Sequence, residues 1–159
     1  MQGRIYTVSF AAVSVSAAQD FFELTPADDK PIEIIGLMIG QTGVADVGDA
    51  AEEMLKLEII RGYTASGSGG SAPTPVPTGR NSAAAGFTAE VNNTTLASTG
   101  TAVIVLEDSF NVRSGYQMWW PEGTEPNASQ GDTTLCVRLP TAPADAITLS
   151  ATVYVRECP

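Results

Sequence analysis

Nine short stretches of this chain are rich in Val, Ile, Thr and aromatic residues, and turn-forming residues separate them: 5–15, 21–24, 32–39, 54–61, 86–91, 102–106, 117–120, 134–139 and 147–155. Branched and aromatic side chains fit a pleated, half-buried surface, so each stretch reads as a strand. Helical periodicity is poor by comparison. Only DAAEEMLKL at 49–57 could open a helix, with Asp49 as cap and Glu52 three residues on. Its continuation is Ile59-Ile60, and Leu55, Leu57 and Ile59 alternate with Lys56 and Glu58, which favours a strand with one wet and one dry face. The chain is expected to be all-β: a single antiparallel β-sandwich domain over 1–159, a jelly roll in topology, carrying a long Gly/Pro-rich loop at 62–82.

Individual strands carry more detail. Residues 32–39 are apolar at nearly every position, and so is Val103-Ile104-Val105-Leu106; both are expected to be central strands covered on both faces. Near the start, Tyr6, Val8 and Phe10 alternate with Thr7 and Ser9, while Val13 and Val15 continue on odd numbers. A bulge at Ala11-Ala12 would shift the phase. Residues 1–18 also loosely resemble a secretory signal, but Thr7, Ser9, Ser14 and Ser16 dilute the apolar stretch, and the strand reading is preferred. Residues 133–139 and 147–155 read as a hairpin around 141–145. That register sets Cys136 opposite a residue near Ser150 and leaves Cys158 roughly 25 Å away, against the ~6 Å that a disulfide spans. Two reduced thiols are expected, which suits an intracellular assembly site.

Charge and composition exclude several functions. The chain has 159 residues, 43% hydrophobic and 16% charged, enough apolar material for a real core. It has no apolar run near the ~20 residues needed to cross a bilayer. Its formal net charge is −10, with no basic stripe to reverse the field, so DNA, RNA and anionic membranes are not expected partners. Histidine is absent, which removes the usual general base near neutral pH and the commonest metal ligand. Lys30 and Lys56 are the only lysines. The expectation is a protein that is not an enzyme and has no cofactor.

The segment 62–82, GYTASGSGGSAPTPVPTGRNS, has no apolar periodicity. Gly67, Gly69 and Gly70 make its first half flexible, and Pro73, Pro75 and Pro77 hold the second half extended. Two readings stand side by side: an arm laid over a neighbouring subunit, or a floppy surface excursion. GSGGS at 67–71 is not a phosphate loop, since neither the Gly-Lys-Ser/Thr ending nor the last dinucleotide-motif glycine is present. Ser68 and Ser71 lack a histidine to activate them as nucleophiles.

Three further features stand out. Asp46, Asp49, Glu52 and Glu53 form an acidic cluster, read as a solvated turn ahead of a cation site. Asn92, Asn93 and Asn127 lie in glycosylation sequons and read as unmodified loop residues. Trp119 and Trp120 on one strand would point to opposite faces. One fills the core, and the other is covered by the protomer, a protein partner or a stacked sugar.

PIEIIGLMIGQ (31–41), DVGDAAEEMLKLEIIRG (46–62), SGSGGSAPTP (66–75) and LPTAPADAITLS (139–150) resemble small proteins encoded among the virion genes of tailed bacteriophages, across most of the chain. Such proteins look like capsid auxiliary (decoration or cement) proteins, several families of which are jelly-roll trimers on the outer shell. The resemblance implies a virion structural protein that forms a homo-oligomer, a trimer, in the host cytoplasm and binds the major capsid protein on the outer capsid surface. It supplies no catalytic residue. An acidic surface suits the outside of a shell packed with DNA. The expected contacts are Arg4 in the N-terminal arm, Gly67, Gly70, Pro73, Pro75 and Pro77 in the loop, and Trp119 with Trp120. The alternative is a carbohydrate- or receptor-binding β-sandwich module from a tail fibre or surface adhesin.

Overall fold

The computed structural model describes residues 3–42, 52–129 and 134–159. In chain order its strands are β1 (Arg4–Val15), β2 (Gln19–Thr25), β3 (Ile32–Gln41), β4 (Met54–Ala65), β5 (Val76–Pro77), β6 (Thr88–Asn93), β7 (Ser98–Asn111), β8 (Tyr116–Trp119), β9 (Asn127–Ala128), β10 (Leu135–Leu139) and β11 (Ile147–Glu157). All pairings are antiparallel. One sheet runs β5-β1-β11-β3-β8 with β9 beside β3, and the other runs β6-β2-β10-β4-β7. The two pack face to face as a β-sandwich. Each of the nine stretches picked out by composition overlaps a strand, with Gly86, Phe87, Trp120 and Thr134 falling outside.

Inward residues alternate along the strands, as a sandwich core requires. Tyr6, Val8, Ile34, Leu37, Val153 and Val155 come from the first sheet; Phe22, Leu24, Leu57, Ile59 and Val137 come from the second. Phe10 joins them, its ring centroid 6.0 Å from Phe21 and 5.4 Å from Phe22. Each such side chain contributes about 1.5–3 kcal/mol by leaving water. The expected bulge is present. The β1–β11 register passes from Phe10↔Ala151 to Val13↔Leu149, with Ala12 at φ 52° and its N–H donating to Ser150 Oγ at 2.9 Å.

Two expectations are corrected. Residues 133–139 and 147–155 do not form a hairpin: β10 pairs β2 and β4, while β11 pairs β1 and β3 in the opposite sheet. The connection carries Pro140 and Pro143, which cannot donate to a ladder, and it crosses the ~10 Å between stacked sheets. Both cysteines are nevertheless free thiols, Cys136 buried and Cys158 half-buried. Val103–Leu106 is not a central strand. It lies in β7, the last strand of its sheet, with Val103, Ile104 and Val105 exposed by 46%, 50% and 40%. Strand 32–39 is interior as expected, between β11 and β8, but its outer face is only half covered.

Candidate interaction surface

A sandwich has open edges, where unpaired backbone groups invite another strand. This chain treats its two sides differently. On one side the segment after β4 straps both sheets. Ser68 N–H donates to Thr95 O (2.9 Å), and Ser71 exchanges both backbone hydrogen bonds with Val91 at the β6 edge. The segment then crosses to the first sheet, where Val76 and Pro77 pair with Thr7 and Tyr6 of β1. The strap therefore covers β6 and β1 together.

The other side ends in β8 and β7, which the Tyr116 hydroxyl joins by donating to Asp108 Oδ2 at 3.2 Å. Burial and the Asp108 charge push that hydroxyl up to about 12. β8 is four residues long, and Pro121 follows one residue after it. β7 is fourteen residues long, pairs among the described residues only with β4, and is exposed from Ser98 to Val105. It carries no lysine and no proline, the residues that commonly blunt an edge. Lys56 of β4 meets Glu107 at 2.9 Å and Glu58 at 2.7 Å, which confines the strand's charge to its C-terminal half.

The residues expected to contact a partner are dispersed. Gly67 and Gly70 lie in the strap against this protomer's own β2 and β6: a Cβ on Gly70 would stand 1.9 Å from Val91 O, and one on Gly67 2.4 Å from Thr95 O. Gly67 N–H also donates to Glu23 Oε2 (3.0 Å) and Gly70 N–H to Asn93 Oδ1 (3.1 Å). Pro75 is buried, and Pro73 and Pro77 are half-buried. The long segment is thus not a floppy excursion; it is fastened to its own body. Arg4 opens β1 and is exposed. Of the acidic cluster, Asp46 and Asp49 lie outside the described residues; Glu52 meets Arg113 at 4.0 Å and Glu53 accepts from Ala144 N–H.

Trp119 and Trp120 do point to opposite faces. Trp120 packs against the core, and Trp119 lies on the outer face, 48% exposed. Its ring centroid is 4.8 Å from that of Tyr154 on β11. It sits over Gly36 of β3, where a Cβ would come within 2.6 Å of indole Cε3 and Cζ3 and 3.0 Å of Cδ2. Three ring carbons at nearly equal reach mean that the indole lies flat on the sheet. Along the same face, Gln117, Met38 and Thr152 lead from this platform into an open cleft of about 640 Å³ that reaches Ser9, Gly40, Ser150 and Arg113. Among the described residues, no carboxylate lines that cleft.

On the outer face of the second sheet, Asp20, Glu23 and Cys136 place ligand atoms within 4.8 Å of one another. Arg138 already occupies Asp20, and Tyr63 stacks on the guanidinium at 4.7 Å. Glu23 accepts from Ser66 Oγ (2.6 Å), Gly67 N–H and Asn93 Nδ2 (3.0 Å). Burial pushes the Cys136 thiol up to about 12, far from a nucleophilic thiolate. Burial likewise pushes the Asp20 carboxyl up, with Arg138 and the Ala97 N–H pulling against it. This cluster is a fastening beneath the strap.

Sequence reading missed the strap's partners, Tyr154 as support for Trp119, and the Asp20–Arg138 pair. One signal was available: Gly36 interrupts an apolar strand, and a strand glycine marks a close approach. Comparison with protein-family models, with curated proteins and with solved structures finds no match for this chain.

Proposed function

We propose that this chain is a virion structural protein, a capsid decoration subunit that forms a homo-oligomer through its β7 side and binds the outer capsid surface. The observation that carries this reading is the asymmetry of the edges: one side is strapped shut, and the other presents a long strand with Val103, Ile104 and Val105 exposed. An apolar, unblunted edge would be an aggregation hazard on a solitary molecule, and is a docking strand within an assembly. The strand order supports the jelly-roll reading. Taking the eight strands other than β5, β6 and β9 in chain order, one sheet runs 1-8-3-6 and the other 2-7-4-5. The net charge of −10 suits a surface facing away from packaged DNA.

The mechanism is passive. A standard interface buries ~1,600 Å² in total, and repeated contacts on a lattice add by avidity. The test is mass in solution and co-sedimentation with capsid shells, for the native chain and for Val103→Lys/Val105→Lys. The native chain is expected to be an oligomer, a trimer in this reading, that pellets with shells. The variant is expected to be a folded monomer that stays in the supernatant. A strictly monomeric native chain with no affinity for shells overturns the reading.

A further inference from the structure

We propose that the outer face of the first sheet is a binding site for a neutral oligosaccharide, with Trp119 as the stacking platform and Gln117, Ser9 and Thr152 as the polar contacts.

The platform is built before any ligand arrives. Gly36 lets the indole lie on the backbone of β3, and Tyr154 supports it from β11. Rigidity of this kind removes part of the ordering cost of binding. An indole lying flat on a sheet offers its other face to solvent, which suits the apolar C–H face of a pyranose ring.

The neighbouring side chains supply the second half of such a site. Register places Gln117 beside Met38 and Met38 beside Thr152, so these three cross the face one pleat repeat from Trp119. Ser9 Oγ and Thr152 Oγ1 lie 2.8 Å apart. An amide and a hydroxyl pair both donate and accept, as sugar hydroxyls require. Small residues shape the space: a Cβ on Gly40 would meet nothing within 4 Å. The charge pattern selects the ligand class. Among the described residues no carboxylate lines this cleft, and the one cation there, Arg113, lies near Glu52 at 4.0 Å. A polar cleft lined by amide and hydroxyl groups, its one cation set against Glu52, beside an exposed aromatic fits a neutral polyhydroxylated ligand.

The experiment titrates the full chain with neutral hexose oligosaccharides of α- and β-linkage and with N-acetylhexosamine oligosaccharides, following the Trp119 indole N–H resonance. At least one series is expected to bind and to shift that resonance. Trp119→Ala is expected to weaken binding by at least about tenfold, equivalent to about 1.4 kcal/mol. Trp119→Tyr is expected to restore part of it, and Val103→Lys/Val105→Lys is expected to leave it unchanged. Failure of every sugar to bind in the millimolar range overturns the proposal, as does equal binding by Trp119→Ala. Neither result bears on assembly through β7.

Discussion

Arg138 on β10 grips Asp20 on β2 with two nitrogens, Nε on Oδ1 at 2.6 Å and Nη2 on Oδ2 at 3.0 Å. The pair is sealed on every side. Nη2 also donates to Ala97 O (2.9 Å), Nη1 donates to the Tyr63 hydroxyl (2.9 Å), and Ala97 N–H donates to Oδ2 (2.8 Å). Removing one partner from a buried ion pair strands the other, at a cost of about 3–5 kcal/mol. Arg138→Met and Asp20→Ala are each expected to lower the chemical-denaturation stability by that amount. The double change Asp20→Ala/Arg138→Met is expected to cost less than the sum of the two. Additive losses would show that the two groups do not act on each other.

The strap makes a second prediction, because its glycines are chosen for closeness. A Cβ on Gly70 collides with Val91 O, so Gly70→Ala has to lift the strap from the β6 edge. The expected cost is about 1–3 kcal/mol, with new proteolytic cleavage between residues 66 and 77. Loss of the strap uncovers Glu23, whose carboxylate depends on Ser66 and Gly67. Deletion of 67–77 is therefore expected to destabilise the fold itself. An unchanged digestion pattern in Gly70→Ala would refute the fastening role.

Acid stability turns in part on Glu125. Its own backbone N–H holds its carboxyl below the ordinary value of 4.5, helped by Gly123 N–H and Arg156 and opposed by burial. A carboxyl whose folded value is depressed leaves the unfolded chain binding more protons, so stability rises with pH across that window. The contribution is complete above about 4.5 and is lost as pH falls through the folded value. Glu125→Gln is expected to be less stable at neutral pH and to lose less on acidification. Parallel acid-unfolding curves for the two proteins would disprove the assignment.

What could be read without coordinates follows from the physics of pattern. The phase change at Ala11-Ala12 is a local property of a strand and appears as expected. Leu55, Leu57 and Ile59 face inward as the alternation implies, but on the opposite face of β4 Lys56 is exposed while Glu58 and Ile60 are buried. Sheet membership is not local. β10 and β11 are neighbours in sequence but lie in opposite sheets, and no side-chain period encodes that crossing. Val103-Ile104-Val105 shows a different ambiguity, since a strand buried within a sheet and a strand awaiting a partner need the same apolar residues. The surface was partly legible for a similar reason. Adjacent tryptophans must diverge across a strand, but which one is exposed depends on Gly36 and Tyr154, both far away in sequence.

Gly36 and Trp119 form a pair whose coupling is measurable. A methyl at position 36 would overlap indole carbons within 2.6 Å, closer than any side chain tolerates, so the indole must leave the sheet and the Tyr154 ring. Overpacking of this kind costs about 1–3 kcal/mol. Gly36→Ala is expected to lower thermal stability and to change the near-ultraviolet dichroism of the aromatic rings while strand content stays constant. Trp119→Ala on its own loses only the covering of a half-exposed face. In Gly36→Ala/Trp119→Ala the added methyl has nothing to strike. The double variant is therefore expected to be no less stable than Trp119→Ala alone, a non-additivity that only direct contact between the two positions produces. Additive losses would place the cost of the methyl in the β3 backbone and not in the indole above it.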